Sequence, residues 1–197
     1  MRKRDSAEVR EKLLDHGVML LMEQGYHGTG IQEIVESVGM PKGSFYNHFP
    51  SKEAFSAEVV QHYIEPFIKQ LDGHLNRRNV SAEAALKAYF KELMEETERR
   101  DFKGGCLLGN LIGEIGETSD LCSTSLRDAV HRYRDKLKEG IARGQAEGSF
   151  RKDLTATFMA DLVLNLWQGA LLRMKIERSV QPLSQVFEFL LDDYFKA

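Results

Sequence analysis

The sequence predicts an all-α fold of about nine helices, and three observations carry that expectation. Apolar residues recur every third or fourth position almost throughout, while β-branched residues rarely alternate with polar ones. Gly, Pro, Ser and Asp positions divide the chain into segments of helix length. One stretch, GMPKGSFYNHFPSKEAF from Gly39 to Phe55, crowds turn formers, aromatic rings and cations where two helices would meet.

Val9, Leu13, Gly17, Leu20 and Leu21 mark one face of a first helix, expected to end near Gly25. Thr29 opens T-G-I-Q, a capping-box pattern in which Thr29 caps a second helix and Gln32 reaches back. Ile31, Ile34, Val35 and Val38 form its inner stripe. Gly39 is its natural stop, because glycine tolerates the left-handed conformation at a helix end. Pro41 suits the first turn of a third helix, taken as Pro41 to Phe49, since its missing N–H would have been unpaired there. Pro50 and Ser51 then end that helix and cap a long fourth one. In it Phe55, Val59, Tyr63, Phe67, Leu71 and Leu75 repeat every fourth residue, and Pro66 is expected to introduce a kink. The polar run from Asn76 to Ser81 leads to helices near 82–99, 104–117, 120–147, 154–177 and 182–195.

A chain of 197 residues is long enough to bury a core without disulfides. Its two cysteines, Cys106 and Cys122, and seven methionines point to a reducing setting. No apolar signal segment follows MRKRDSAEVREKLLDHG, and LLDHGVMLLM is too short and too polar to span a bilayer, so a cytoplasmic location is expected. The net charge of −3 gives no global sign of a polyanion partner, but the local distribution does. Residues 1–52 hold seven Lys/Arg and seven Asp/Glu, and every acid lies between Asp5 and Glu36. Positive charge is therefore concentrated in Arg2, Lys3 and Arg4 and in the acid-free interval from Ser37 to Lys52.

Stepping about 100° per residue along Pro41 to Phe49 places Phe45 and Phe49 together, facing the core. Gly43, Ser44 and Asn47 fall opposite, Tyr46 and His48 take the flanks, and Lys42 projects from the start. That outward set suits DNA. Lysine and asparagine reach base edges, hydroxyls and imidazole reach phosphate oxygens, and glycine lets the backbone approach. Thr29 and Lys52 stand at helix starts, where exposed N–H groups favour phosphate.

The stretch TGIQEIVESVGMPKGSFYNHFPSKEAF resembles the DNA-binding signature of TetR-type bacterial repressors. The resemblance implies a helix-turn-helix DNA-binding domain over 1–52 and a helical ligand-sensing and dimerisation domain over 53–197. It places Lys42, Gly43, Ser44 and Asn47 near bases and Thr29, Tyr46, His48 and Lys52 on phosphates, with the Arg2–Arg4 arm as an added contact. It also implies a repressor that binds operator DNA as a homodimer, without a cofactor, and leaves it in response to an effector.

A dimer needs an apolar surface, because one helix-turn-helix spans too few bases. Leu183, Val186, Phe187, Leu190, Leu191 and Tyr194 form one stripe, and Phe158, Leu162, Leu166, Ala170 and Leu171 another. In the segment KGGCLLGNLIGEIGE, Gly105, Gly109, Gly113 and Gly116 share one helix face, each weakening the helix by about 1 kcal/mol against Ala. Close approach of another helix is the expected compensation.

Cys106 sits at that helix start near Arg99, Arg100 and Lys103, surroundings that favour the reactive thiolate. This part resembles the electrophile- and redox-responsive members of the same family, though a plain packing role is equally compatible with the residues. For a noncovalent effector the candidate pocket is Tyr63, Phe67, Phe90, Met94, Leu107, Asn110, Leu111, Trp167 and Met174, apolar with a few polar points.

Two other classes compete. A thiol enzyme would need Cys106 with His131 as base and Asp128 or Asp135 as orienter. A helical adaptor would need no DNA at all. The six histidines and two cysteines show no metal-ligand spacing, so no metal is expected.

Overall fold

The computed structural model describes residues 3–197, with side chains from Ser6 onward. Every regular element among them is helical. α1 spans Lys3–Gly28 and α2 Ile31–Glu36, followed by a short 3-10 helix at Lys42–Asn47. Then come α3 (Lys52–Leu75), α4 (Ala82–Arg99), α5 (Leu107–Ile115), α6 (Asp120–Glu147) and α7 (Ala156–Glu177). α8 (Gln181–Glu188) continues into a π-helical end at Phe189–Tyr194. These bounds follow the expected ones to within three residues at most helix ends, because the apolar period that predicts a helix is the period that buries it.

The chain forms two compact units that cut across the expected 52/53 boundary. Among the described residues the first runs to residue 65 and takes up 106–130, and the second comprises residues 66–105 and 131–197. The earlier division falls at Pro66, inside α3.

In the first unit α5 packs along α1, and α2 packs against both α1 and the 3-10 helix. Leu13, Leu21, Ile34, Val35, Phe45, Phe49, Phe55, Val59 and Val60 are buried there. Gly17 is required at its place: a Cβ would stand 2.4 Å from Phe55 Cζ. α1 does not stop at Gly25 but breaks there, with φ 73 and ψ 179, and runs one further turn.

In the second unit α8 packs on α7 and α4. Phe90 lies 4.9 Å from Trp167 and 4.3 Å from Phe187, ring centroid to centroid. Tyr89 and Tyr133 join their buried hydroxyls at 2.7 Å. A Cβ on Gly144 would stand 2.3 Å from the Phe150 ring, so that glycine lets α6 seat the ring.

Glycines 105 to 116 do not form the expected packing face. Gly104 and Gly105 take left-handed φ values of 91 and 81 ahead of α5, which begins only at Leu107. Gly113 opens onto empty space, and a Cβ on Gly116 would meet the Ile112 carbonyl of its own helix.

Candidate nucleic-acid interface

Gly39 ends α2 at φ 70, as its position predicts, and the Met40 N–H returns to the Val35 carbonyl at 2.9 Å. Pro41, at φ −72 and ψ 147, directs the chain into the 3-10 helix. Six residues cannot sustain a long ladder, so this element draws its order from one buried anchor. Phe45 and Phe49 are fully buried with centroids 5.6 Å apart, and Phe55 stands edge-on to both, at 5.6 and 4.9 Å. The Phe49 N–H donates to the Phe45 carbonyl at 3.0 Å, which carries the second ring back to the first. Arg10 places its guanidinium 4.8 Å from the Phe49 ring centroid and pairs with Glu58, tying α1 and α3 to the wedge.

The opposite face is open. Lys42, Gly43, Tyr46 and Asn47 are exposed and Ser44 is half-buried, its hydroxyl donating to the Pro41 carbonyl. Nothing lies within 4 Å of the place a Gly43 Cβ would occupy, so a flat ligand can approach the backbone closely.

Of the expected phosphate contacts, His48 and Thr29 turn inward and Lys52 is tethered at its ammonium. His48 is half-buried, and its Nε2 is enclosed with no hydrogen-bond partner. At three residues per turn, position 48 follows Phe45 inward, whereas a 3.6-residue step places it on a flank. Thr29 is buried and does not cap α2: its hydroxyl donates to the Gly25 carbonyl at 2.7 Å. Gly30 is the cap residue, and Gln32 bonds to Glu36 rather than reaching back. Lys52 donates to the Tyr26 carbonyl, and its ammonium stands 4.1 Å from the Tyr26 ring centroid. Burial draws the Lys52 ammonium below its ordinary value, with the Glu114 carboxylate acting in the opposite direction. Burial raises the Tyr26 phenol, with Cys122 and Glu53 adding to the shift. The Arg2, Lys3 and Arg4 side chains lie outside the described residues.

Sequence reasoning missed Glu114. Its carboxylate accepts from the Tyr26 N–H at 2.8 Å and the His27 N–H at 3.2 Å. The available signal was a single acid within the otherwise uncharged helix LLGNLIGEI.

The two cysteines differ. Cys122 is fully buried near the start of α6, where its N–H donates to the Ser119 hydroxyl at 3.0 Å and its Sγ to the Glu53 carbonyl at 3.5 Å. Burial pushes its thiol up. Cys106 is half-buried at the N-cap of α5, and neither cysteine is disulfide-bonded. The Lys175 side chain packs on the preceding residue, 2.9 Å from the place a Gly105 Cβ would occupy.

The effector candidates divide between the units. Tyr63, Leu107, Asn110 and Leu111 belong to the first; Phe67, Phe90, Met94, Trp167 and Met174 belong to the second. Of the expected dimer residues, Ala170, Leu183, Phe187 and Leu190 are buried inside the chain's own core and have no surface to offer. Leu162, Val186 and Tyr194 are half-buried. Phe158 (47% exposed) and Leu166 (38%) do face outward, and Leu172 (62%), Ile176 (84%) and Phe189 (51%) join them unforeseen.

Two family descriptions match the chain. Residues 13–59 match bacterial regulatory proteins of the tetR family, and residues 82–190 match the tetracyclin repressor-like C-terminal domain. The HTH-type transcriptional repressor DhaR of Mycobacterium sp. is 38% identical over 187 residues, spanning 93% of this chain and 92% of that one. The HTH-type transcriptional repressor NemR of Escherichia coli is 29% identical over 191 residues, spanning 93% and 92%. The crystal structure of reduced E. coli NemR superposes with a TM-score of 0.87 at 25% identity, over 96% of this chain and 97% of that one. Regulatory protein TetR from Rhodobacter sphaeroides gives 0.84 at 28% identity, over 92% and 96%.

Proposed function

The chain belongs to the TetR family of DNA-binding transcriptional regulators, and from that premise we propose that it is a homodimeric repressor released from its operator when Cys106 is modified. The observation that carries the DNA-reading part is the pairing of a fully buried Phe45–Phe49 wedge with an exposed Lys42, Gly43, Tyr46 and Asn47. A rigid anchor on one side and unobstructed donors on the other is what base readout needs. In this assignment Lys42, Gly43, Ser44 and Asn47 approach bases, while Tyr46 and Lys52 contact phosphates.

The second copy seats on the outer face of α7. Phe158, Leu162, Leu166, Leu172 and Ile176 recur at helical spacing there, and Phe189 adds to them from the π-helical end. Ile176, 84% exposed, is costly to leave in water.

Cys106 is favoured as the sensor over Cys122 by access. An electrophile or oxidant reaches a half-buried thiol at a helix cap more readily than a fully buried one. The E. coli relative whose structure is described as the reduced form fits a redox-sensitive role. A noncovalent effector is the second reading, with Phe90, Met94, Trp167 and Met174 of the second unit as its apolar lining.

The test uses a duplex selected from a random pool by the purified protein, with N-ethylmaleimide as the thiol probe. Wild type is expected to release the duplex on alkylation, and Cys106→Ser to stay bound. Equal release from Cys106→Ser removes Cys106 as the sensor and leaves the noncovalent reading.

A further inference from the structure

We infer that Glu114 is a positioning residue for the DNA-backbone contact, holding Lys52 in place through the Gly25–His27 turn. Glu114 lies on α5, far in sequence from the helix-turn-helix, yet its carboxylate binds the backbone of the turn that precedes α2. One oxygen, Oε2, accepts from both the Tyr26 and His27 N–H groups, at 2.8 and 3.2 Å. The non-helical backbone at Gly25 interrupts α1, and N–H groups beside such a break need acceptors from elsewhere. The approach is so close that a Cβ at Gly25 would stand 2.2 Å from Glu114 Oε1. Gly25 is thus constrained twice, by its φ of 73 and by the carboxylate beside it.

The other side of the same turn holds Lys52. The Tyr26 carbonyl accepts from its ammonium, and the Tyr26 ring lies beneath it at 4.1 Å. A lysine ammonium has three N–H groups. The carbonyl takes one and the ring face a second, which leaves one for an outside acceptor. Lys52 is also the first residue of α3, where unpaired N–H groups and the helix dipole favour a phosphate. Lysine side chains lose much rotamer freedom on binding, and one already held loses less.

Charge and position oppose each other here. As an acid near a DNA-binding surface, Glu114 repels phosphate; as the acceptor that fixes the Tyr26 turn, it preorganises the cation that binds phosphate. The repulsion is screened by solvent and salt, whereas the hydrogen bonds act at contact distance, so positioning dominates.

The inference rests on the assignment of Lys52 to the DNA backbone made above. It is tested on the full chain by fluorescence anisotropy, with a labelled random-sequence duplex and a duplex selected by wild type. Glu114→Ala is expected to weaken binding to both by about five-fold and to lower the salt slope by about one. Glu114→Gln, which removes the charge but keeps an oxygen acceptor, is expected to stay within about two-fold of wild type or bind slightly tighter. On a Lys52→Ala background, Glu114→Ala is expected to change nothing further. Tightening of similar size by Ala and Gln, or an undiminished loss on the Lys52→Ala background, overturns the inference and leaves the DNA-binding reading intact. Wild type that binds neither duplex removes both.

A readout without DNA tests the latch itself. Amide exchange at Tyr26 and His27 is expected to quicken at least about ten-fold in Glu114→Ala and not in Glu114→Gln. Unchanged exchange in Glu114→Ala overturns the inference.

Discussion

The 3-10 helix at Lys42–Asn47 and the turn from Gly25 to Thr29 lie in one unit and carry similar polar groups, yet they use them in opposite ways. The first leaves Lys42, Tyr46 and Asn47 facing outward on a buried aromatic anchor. The second commits its groups to the protein: Thr29 to the Gly25 carbonyl, Tyr26 and His27 to Glu114, and the Tyr26 carbonyl to Lys52. Two stretches that look alike as DNA contacts therefore divide into an open face and a joint. Most polar groups of the turn are satisfied within the chain, whereas those of the 3-10 face stay open to a partner. Lys52 belongs to both sets: it is tethered at Tyr26 and keeps capacity for one more acceptor.

The largest expected effect tests the anchor. Phe45→Ala should cost about 3–5 kcal/mol of stability and abolish duplex binding with it, measured by urea denaturation and anisotropy. A variant that unfolds like wild type would break the comparison at its base.

Two glycine substitutions sharpen the contrast. Gly25→Ala meets both a left-handed backbone and the Glu114 carboxylate, and should destabilise by about 1–3 kcal/mol. Gly43→Ala enters open space and should leave stability within about 0.5 kcal/mol of wild type or above it, while weakening duplex binding. Equal stabilities in thermal melts would erase the distinction.

Thr29→Val should cost about 1 kcal/mol, because it removes a hydroxyl from the Gly25 carbonyl. It should leave affinity for a random-sequence duplex within about two-fold of wild type. A uniform loss of affinity for random and selected duplexes, at unchanged stability, would return Thr29 to the phosphate contacts.

The smallest effect concerns pH. Lys52 has a folded-state pKa drawn below its ordinary value of 10.5, so the unfolded chain holds that proton more tightly. Stability should therefore rise with pH between the folded value and 10.5. Over the same window Lys52-dependent duplex affinity should fall. Lys52→Met should remove both trends, read by denaturation and anisotropy at matched pH values.

Most of the fold was legible because apolar period and breaker residues act locally. Gly39 and the helix bounds from α4 to α8 follow from near neighbours alone. The 3-10 geometry was not legible, since six residues are too few for a period of 3.0 to be told from 3.6. That difference turned His48 inward. Glu114 and its partners were hidden for another reason: Tyr26 and Glu114 stand 88 residues apart in sequence. The outer surface of α7 was legible at Phe158 and Leu166 but not at Leu172 and Ile176, because two of its faces are apolar. Met159, Val163, Trp167 and Met174 are buried, while Leu172 and Ile176 are exposed, and periodicity identifies a helix without saying which apolar face turns inward.

The most direct test of the reading surface is the ratio of affinities for a selected and a random duplex in wild type and Asn47→Ala, at one salt concentration. A base-reading Asn47 predicts that this ratio falls about ten-fold while random-duplex affinity is unchanged. A ratio that stays constant would contradict the assignment of the exposed 3-10 face to base recognition.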